Sequence, residues 1–166
     1  MADEPDANLI KELASFFQEI DAMVLATVDG EGLPHATNIY MAHDRRFNLY
    51  FLSDARSEHS QHIEAQPRVS IAGHAPIRMW QQVRGIQIRG KCVAVPEAQR
   101  PEAWAIYHER FPYIEDISEH VRAMTFYCVE PERLRWIDNS VHFGYKVDLH
   151  FPLPASLQAA SDEHHG

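Results

Sequence analysis

The sequence has little of what several classes of protein require. It holds two cysteines among 166 residues, and 15 Lys and Arg against 24 Asp and Glu give a formal net charge of −9. This balance argues against nucleic-acid binding, which depends on basic residues neutralising phosphates. No apolar run approaches the roughly 20 residues that span a bilayer. The acidic start, residues 1–8, has no apolar signal region, so we expect a cytoplasmic protein without a membrane segment.

Several motifs that indicate a particular chemistry are also missing. There is no Gly-rich dinucleotide or phosphate loop, no Gly-x-Ser-x-Gly elbow and no Cys-x-x-Cys or His-Glu-x-x-His pattern. His59 and His62 are three residues apart, as metal ligands can be, but no third ligand has a suitable spacing, so no metal site is expected. Cys92 and Cys128 each lie in an apolar, strand-like run. We interpret them as buried thiols rather than a disulfide.

What is present is a series of short strands with helices between them. Apolar residues recur at helical spacing near the start and predict an amphipathic helix: Leu9, Ile10, Leu13, Phe16, Phe17 and Ile20. Further helices are predicted at Ser57–Ala65 and from Pro96 to about Arg110. The pattern predicts a mainly β, α+β fold, a six- to seven-stranded antiparallel barrel with peripheral helices. Residues 1–150 form one domain in this interpretation, and 151–166 form a polar, poorly ordered tail in which His164 and His165 have no role.

The order of motifs narrows this fold further. The stretch that begins LATVDGEGLPHATNIYM contains a hairpin, then the strand LYFLSD, a Ser-x-His helix start and the helix stop QPRVS. Together these motifs resemble the FMN-binding split-barrel family that includes pyridoxamine 5'-phosphate oxidase. The later segments VRGIQIRGKCVAV, YHERFP and WIDNSVHFGYKV resemble an uncharacterised bacterial subgroup of that family. The resemblance implies a split barrel, bound FMN, and a homodimer whose ligand pocket is shared between the subunits.

The junction between the LYFLSD strand and the following helix is the predicted phosphate site. A helix N-terminus has free N–H groups and a partial positive charge, which suit a phosphate. Ser53 and Ser57 add hydroxyl donors, and Arg56 and His59 can add charge. By resemblance this region holds the FMN phosphate, with His59 in place of the family's usual Lys or Arg, which weakens the charge and makes binding pH-dependent. The alternative is that Ser57 is a plain N-cap and His59 a surface residue.

Other residues are assigned to the flavin ring by the same resemblance. Along the second strand they are Thr37, Asn38, Ile39 and Tyr40, and further on they are Trp80, Arg84, Gln87 and Trp136. Asn is depleted in strands, so its presence at position 38 indicates that the side chain makes a polar contact there. Gln87 or Arg84 is expected to hydrogen-bond the ring edge across the dimer. The alternatives are outward-facing strand residues for this pair, and a core or interface position for Trp136.

The resemblance implies a flavin-dependent oxidoreductase of unknown substrate in which the flavin carries the electron chemistry. No catalytic residue is singled out. Two alternatives stay open: a haem-binding or haem-handling protein on the same barrel, and a non-catalytic, stress-related module that holds flavin. True pyridoxamine-phosphate oxidases have an Arg-x-His substrate motif where this sequence reads DNSVHFGYKVDLH. Vitamin B6 oxidation is therefore not expected.

Overall fold

A curled antiparallel sheet forms most of the molecule. The computed structural model describes residues 5–162, with side chains up to residue 160. Its strands are β1 (Ala22–Val28), β2 (Pro34–Tyr40), β3 (Ala42–His43), β4 (Leu49–Ser53), β5 (Arg68–His74), β6 (Arg84–Ala94), β7 (Thr125–Asp138) and β8 (Lys146–His150). Its helices are α1 (Ala7–Glu19), α2 (Glu58–Ala65), α3 (Arg100–Arg110), α4 (Ser118–Val121) and α5 (Ala155–Asp162), with short 3₁₀ turns at Trp80–Gln82, Glu97–Gln99 and Pro112–Ile117. The predicted α+β split barrel is confirmed.

The order of strands explains the split in the barrel. The sheet runs β2-β1-β5-β6-β7-β4-β3, and β8 pairs with the outer part of β7. Among the described strands, β2 pairs only with β1, from Ala22↔Tyr40 to Val28↔Pro34. The sheet curls until Cα atoms of β2 and β4 come within 8 Å of each other, although these two strands do not pair. The sheet is therefore not hydrogen-bonded between β2 and β4, and we call this unpaired gap the groove.

Helix α1 supplies one side of the core. The side chain of Asp6 caps it by accepting a hydrogen bond from the backbone N–H of Leu9 at 2.8 Å. Phe16 packs edge-on against Trp136 of β7, with 4.8 Å between the ring centroids. The sequence predicts this helix correctly, since all six of its apolar positions are buried: Leu9, Ile10, Leu13, Phe16, Phe17 and Ile20.

Strand β7 is longer than the sequence suggests. The sequence predicts two strands, Met124–Val129 and Leu134–Ile137, interrupted around Pro131, but the structure has one continuous strand across that residue. Pro131 pairs with Gly90 where the β6–β7 register shifts, so the missing N–H falls at a bulge. A Cβ on Gly90 would stand 2.2 Å from the carbonyl oxygen of Glu130. Glycine is therefore required at this crossing.

The region after His150 also differs from the sequence-based expectation. Residues 155–162 form helix α5 instead of a poorly ordered tail, and α5 packs against α1. Leu153, Leu157 and Ala160 are buried in the same apolar cluster as α1. Leu157 and Ala160 are three residues apart on α5, and Leu153 lies just before it, an apolar pattern that the Pro-, Ala- and polar-rich composition conceals. The tail residues His164 and His165 lie outside the described part of the chain.

Both cysteines are buried free thiols, as predicted. Burial raises the pKa of the Cys92 thiol and raises that of Cys128 to about 12. No helix within residues 5–162 is long and apolar enough to cross a bilayer.

Candidate functional site

The predicted phosphate site is a cluster of hydroxyl and imidazole groups at the start of α2. Strand β4 ends at Ser53, and Ser57 is the N-cap of α2, accepting a hydrogen bond from the N–H of Ser60. Nε2 of His59 lies 2.7 Å from Oγ of Ser53 and 3.1 Å from Oγ of Ser57. The two serine hydroxyls lie 3.1 Å apart. The structure thus brings three of the predicted residues together, and we call Ser53, Ser57 and His59 the junction.

Arg56, the fourth residue predicted at the junction, turns away from it. Its guanidinium donates two hydrogen bonds to the carboxylate of Asp54, at 3.1 and 2.7 Å, and its side chain is 89% exposed. The pairing lowers the pKa of Asp54 to about 2. The prediction that Arg56 adds charge beside the serines is therefore not realised in this conformation, because a nearer carboxylate binds the guanidinium.

Two further histidines lie next to the junction, and neither of them is predicted at the phosphate site from the sequence. His35, at the start of β2, lies with its ring centroid 6.5 Å from that of His59, and the two planes are only 18° apart. His62, on α2, contacts His35 edge-on at 5.6 Å. Nδ1 of His62 lies 3.0 Å from Oγ1 of the buried Thr27. The β1–β2 hairpin and the curl of the sheet bring His35 here, so its only sequence signal was the abundance of histidine, whereas His62 lies one helical turn from His59 on α2.

The electrostatics of the junction follow from this packing. Burial lowers the pKa of His59, and the neighbouring His35 and His62 lower it further. Glu58 acts in the opposite direction on His59, and one of its carboxylate oxygens lies 3.5 Å from Nδ1 of His35. These effects favour a neutral His59 in the free junction.

Strand β2 places the four predicted ring residues on two faces. Thr37 and Ile39 are half-buried, whereas Asn38 and Tyr40 are exposed. Because β2 pairs only with β1 among the described strands, its second edge leaves backbone N–H and C=O groups free along the groove toward β4. Ser53 is the last residue of β4, so the unpaired edge of β2 and the junction border the same gap.

Gln87 lies on the outer face of the sheet, in the same cross-strand row as Asn38. The row runs Asn38–Val24–Ala72–Gln87 across β2, β1, β5 and β6. Adjacent strands are about 4.8 Å apart, which puts these two amides roughly 14 Å from one another. Within one chain they cannot touch a common small group. The side chains between them are small or apolar, and all four are exposed.

Trp80 and Arg84 lie away from the junction, near the start of β6. Trp80 is 53% exposed and contacts the ring of Phe143 at 5.7 Å. Arg84 pairs with Glu19 of α1 and lies over the ring of Phe16. It also lines a cleft of about 590 Å³. Either residue could therefore contact the flavin ring only at the site of a second subunit.

Trp136 is the one predicted ring residue that the structure contradicts. Its side chain is fully buried, with an exposed fraction of 0%, and points into the barrel. An indole in that position packs against Phe16 and has no access to a surface ligand. The core alternative is therefore correct, because alternation along β7 directs Trp136 inward together with Leu134.

A larger cleft than the one beside Arg84 lies between α1, α3 and the β3–β4 turn. It has a volume of about 1040 Å³, and Phe17, Met41, Tyr50 and Arg110 are among its lining residues. None of the predicted site residues contributes to its wall. Within the described residues, no group of three or more His, Cys, Asp and Glu side chains is arranged to hold a metal ion. The junction thus remains the densest set of donors among the residues that the sequence singles out.

Comparison with known proteins places the fold and the family. A pyridoxine/pyridoxamine 5'-phosphate oxidase of Bdellovibrio bacteriovorus is 29% identical in an alignment of 129 residues, and the match covers 69% of this chain and 64% of the relative. A heme binding protein from Mycobacterium smegmatis superposes with a TM-score of 0.72 at 17% identity, covering 95% of this chain and 62% of that one. The heme storage protein HutZ from Vibrio cholerae superposes with a TM-score of 0.64 at 21% identity, covering 73% of this chain and 88% of that one.

These structural likenesses establish the fold alone. The chain spans less than two thirds of both the B. bacteriovorus oxidase and the M. smegmatis protein. The family itself rests on a separate match, in which the family model for pyridoxamine 5'-phosphate oxidase covers residues 9–138. Because this match includes well over half of the sequence, from α1 to the end of β7, the protein belongs to the pyridoxamine 5'-phosphate oxidase family.

Proposed function

We propose that the protein is an FMN-binding flavoprotein whose phosphate site is the junction. The observation that supports this most directly is the convergence of Ser53, Ser57 and His59 at the N-terminus of α2. A phosphate there would receive hydroxyl and backbone N–H donors and the partial positive charge of the helix end. The donor set therefore fits the phosphate of FMN.

The isoalloxazine ring would lie along β2. Its open edge has free backbone groups beside the groove, which suit the polar edge of a flavin. Thr37 and Ile39 would contact the ring from the groove side, and Asn38 and Tyr40 lie on the opposite face of the same strand. FMN supplies the electron chemistry when bound, while the chain binds the phosphate and orients the ring.

The homodimer is part of the same proposal. The outer face of β1, β2 and β5 has small side chains at its centre, where Ala36 and Ala72 are exposed and Ala26 is half-buried. Such a face packs well against a two-fold copy of itself. In that arrangement Gln87 and Trp80 of one subunit would lie near β2 of the other. The partner subunit would thus supply the contacts to the ring that these residues cannot make within one chain.

Absorbance spectroscopy of the freshly purified protein tests the cofactor. We expect flavin bands, or their appearance with saturation when FMN is titrated into the apoprotein. Riboflavin is the matched ligand control, because it has the same ring without the phosphate and is expected to bind at least tenfold more weakly if the junction holds the phosphate. Saturation by neither ligand would reject the proposal.

Size-exclusion chromatography with light scattering tests the dimer. Ala72→Arg places a charge at the centre of the outer face and is expected to give a monomer that binds FMN poorly. Ala105→Arg is the control, because Ala105 is exposed on α3, away from that face. A wild-type monomer at micromolar concentration would contradict the shared site.

Haem binding is the second candidate function. Two proteins that share this fold are named for heme, and three histidines of this chain cluster at the groove. A Soret band in the purified protein, or on titration with haemin, would favour it over FMN. Retention of FMN without reduction by a nicotinamide cofactor and candidate acceptors would instead indicate a non-catalytic flavin-binding module.

A further inference from the structure

Among the described residues that act on the junction, none places a fixed positive charge beside it. Arg56 is paired with Asp54, and its side chain is turned to solvent. The nearest ionisable groups that can become positive are three imidazoles, those of His59, His35 and His62. A dianionic phosphate held by neutral donors alone would be poorly compensated in charge.

We infer that the junction binds its phosphate together with one proton, taken up by His59, and that His35 and His62 belong to this site. The inference rests on the proposed function, since it concerns the same junction. It predicts that affinity for the phosphorylated ligand rises as pH falls.

The hydrogen-bond geometry supports this coupling. A hydroxyl has a single hydrogen to donate, and the Ser57 hydroxyl donates its hydrogen to Oγ of Ser60 at 2.8 Å. When Nε2 of His59 has no hydrogen, Ser53 donates to it across 2.7 Å and directs only lone pairs outward. An imidazolium always has an N–H at Nε2, so Ser53 then accepts from it. Protonation therefore frees the Ser53 hydrogen for an anion and adds a positive charge in the same step.

The surrounding groups explain why the proton enters with the ligand. Burial disfavours a positive charge on His59, and the neighbouring His35 from β2 and His62 from α2 disfavour it further. Glu58 is the carboxylate nearest to the cluster, 3.5 Å from His35, while Asp29 beyond β1 interacts electrostatically with His62. Asp54 is neutralised by Arg56. Binding a dianion reverses this balance, because its charge favours the imidazolium.

Calorimetric titration of the full-length protein with FMN at several pH values measures the effect. Because binding takes up one proton, the affinity for FMN is expected to fall by up to about tenfold for each unit that pH rises between about 6.5 and 8. Titrations in two buffers of different ionisation enthalpy count the proton directly. Riboflavin is expected to show no such dependence.

Variants separate this mechanism from a general effect of pH. His59→Lys supplies a fixed charge and is expected to bind FMN with a flat pH profile and no proton uptake. His59→Gln is expected to bind weakly with no proton uptake. The control is His120→Gln, at an exposed position on α4, which should keep the wild-type profile. Proton uptake by His59→Gln equal to that of wild type would overturn the inference.

Inorganic phosphate distinguishes this inference from the FMN proposal. NMR titration of the His59 ring, with and without phosphate, is expected to show a pKa raised by at least about half a unit when the anion is present. If FMN does not bind but phosphate raises the pKa of His59, the flavin proposal fails and the proton-coupled anion site stands. An unchanged pKa of His59 with both phosphate and FMN refutes the site described here.

Discussion

The guanidinium of Arg56 is held by the carboxylate of Asp54, two residues earlier, through two side-chain hydrogen bonds. The same carboxylate accepts the backbone N–H of Arg56 at 2.8 Å, so the loop before α2 is fixed around Asp54. Asp54 thus holds Arg56, the one arginine in residues 53–59, away from the junction. Its consequence for ligand affinity can be measured.

Asp54→Asn is expected to tighten FMN binding. The amide oxygen still accepts the backbone N–H of Arg56, but it no longer neutralises the guanidinium, which becomes free to approach the phosphate. A gain of about threefold to tenfold in affinity is expected at neutral pH, measured by fluorescence titration with FMN. Asp54→Asn combined with Arg56→Gln is the control and should return affinity to the wild-type value. Equal affinity in Asp54→Asn and wild type would show that Arg56 cannot reach the ligand.

Substitutions of Ser57 separate helix capping from ligand binding. Asp caps helices as well as Ser, so Ser57→Asp should change the free energy of unfolding by less than about 0.5 kcal/mol. Its negative charge at the phosphate position should weaken FMN binding by more than about tenfold. Ser57→Ala loses the cap and should cost about 1 kcal/mol in urea unfolding. Normal FMN binding by Ser57→Asp would place the phosphate elsewhere.

Gly90→Ala tests the β6–β7 crossing. The new Cβ would overlap the Glu130 carbonyl, 2.2 Å away, and backbone cannot yield cheaply there. We expect a loss of about 2–3 kcal/mol in the free energy of unfolding. Gly30→Ala is the matched control, because a Cβ added there would have no atom within 4 Å and the φ of Gly30 is not positive. A Gly90→Ala protein as stable as Gly30→Ala would argue against the bulge.

The pH dependence of stability tests the Asp148 ion pairs. Asp148 of β8 accepts hydrogen bonds from Arg135 and Arg133, which hold the pKa of its carboxyl well below the usual range. A lowered folded-state pKa stabilises the fold fully above the unfolded pKa of about 3.9, and this stabilisation is lost progressively as pH falls from there through the lower pKa of the folded state. Asp148→Asn should therefore cost about 1 kcal/mol at neutral pH and markedly less near pH 2.

Urea unfolding at both pH values measures this difference. Asp116→Asn is the control, because Asp116 is exposed in the Pro112–Ile117 turn. It should leave stability unchanged at either pH. A cost for Asp148→Asn that stays constant with pH would mean that its ionisation does not contribute.

Local signals were sufficient for much of the fold. The apolar spacing of α1 and the N-cap at Ser57 depend on neighbours within a few residues, and both appear where the sequence places them. Pro131 misled the strand prediction because its tolerance depends on Gly90 in another strand. The apolar residues of α5, Leu157 and Ala160, are too few to predict a helix by themselves, and they are buried because α5 packs on α1.

The candidate site divides in the same way. Ser53, Ser57 and His59 are close in sequence, so a strand–loop–helix pattern was enough to group them. His35 reaches them only through the β1–β2 hairpin and the curl of the sheet. Trp136 was misplaced because its pattern fits either face of a strand, and only the position of α1 decides which face is the interior. The pairing of Arg56 with Asp54 is local, but the sequence-based prediction did not include it.

The packing of α5 on α1 has a consequence for synthesis in the cell. Translation delivers α1 early, and the residues that complete its apolar surroundings, Leu153 to Ala160, leave the ribosome only near the end of the described range. Until then the nascent chain exposes part of the apolar face of α1, and exposed apolar surface is what chaperones bind. Ribosome-bound chains that stop before residue 153 should therefore depend more strongly on chaperones than chains extended past residue 162.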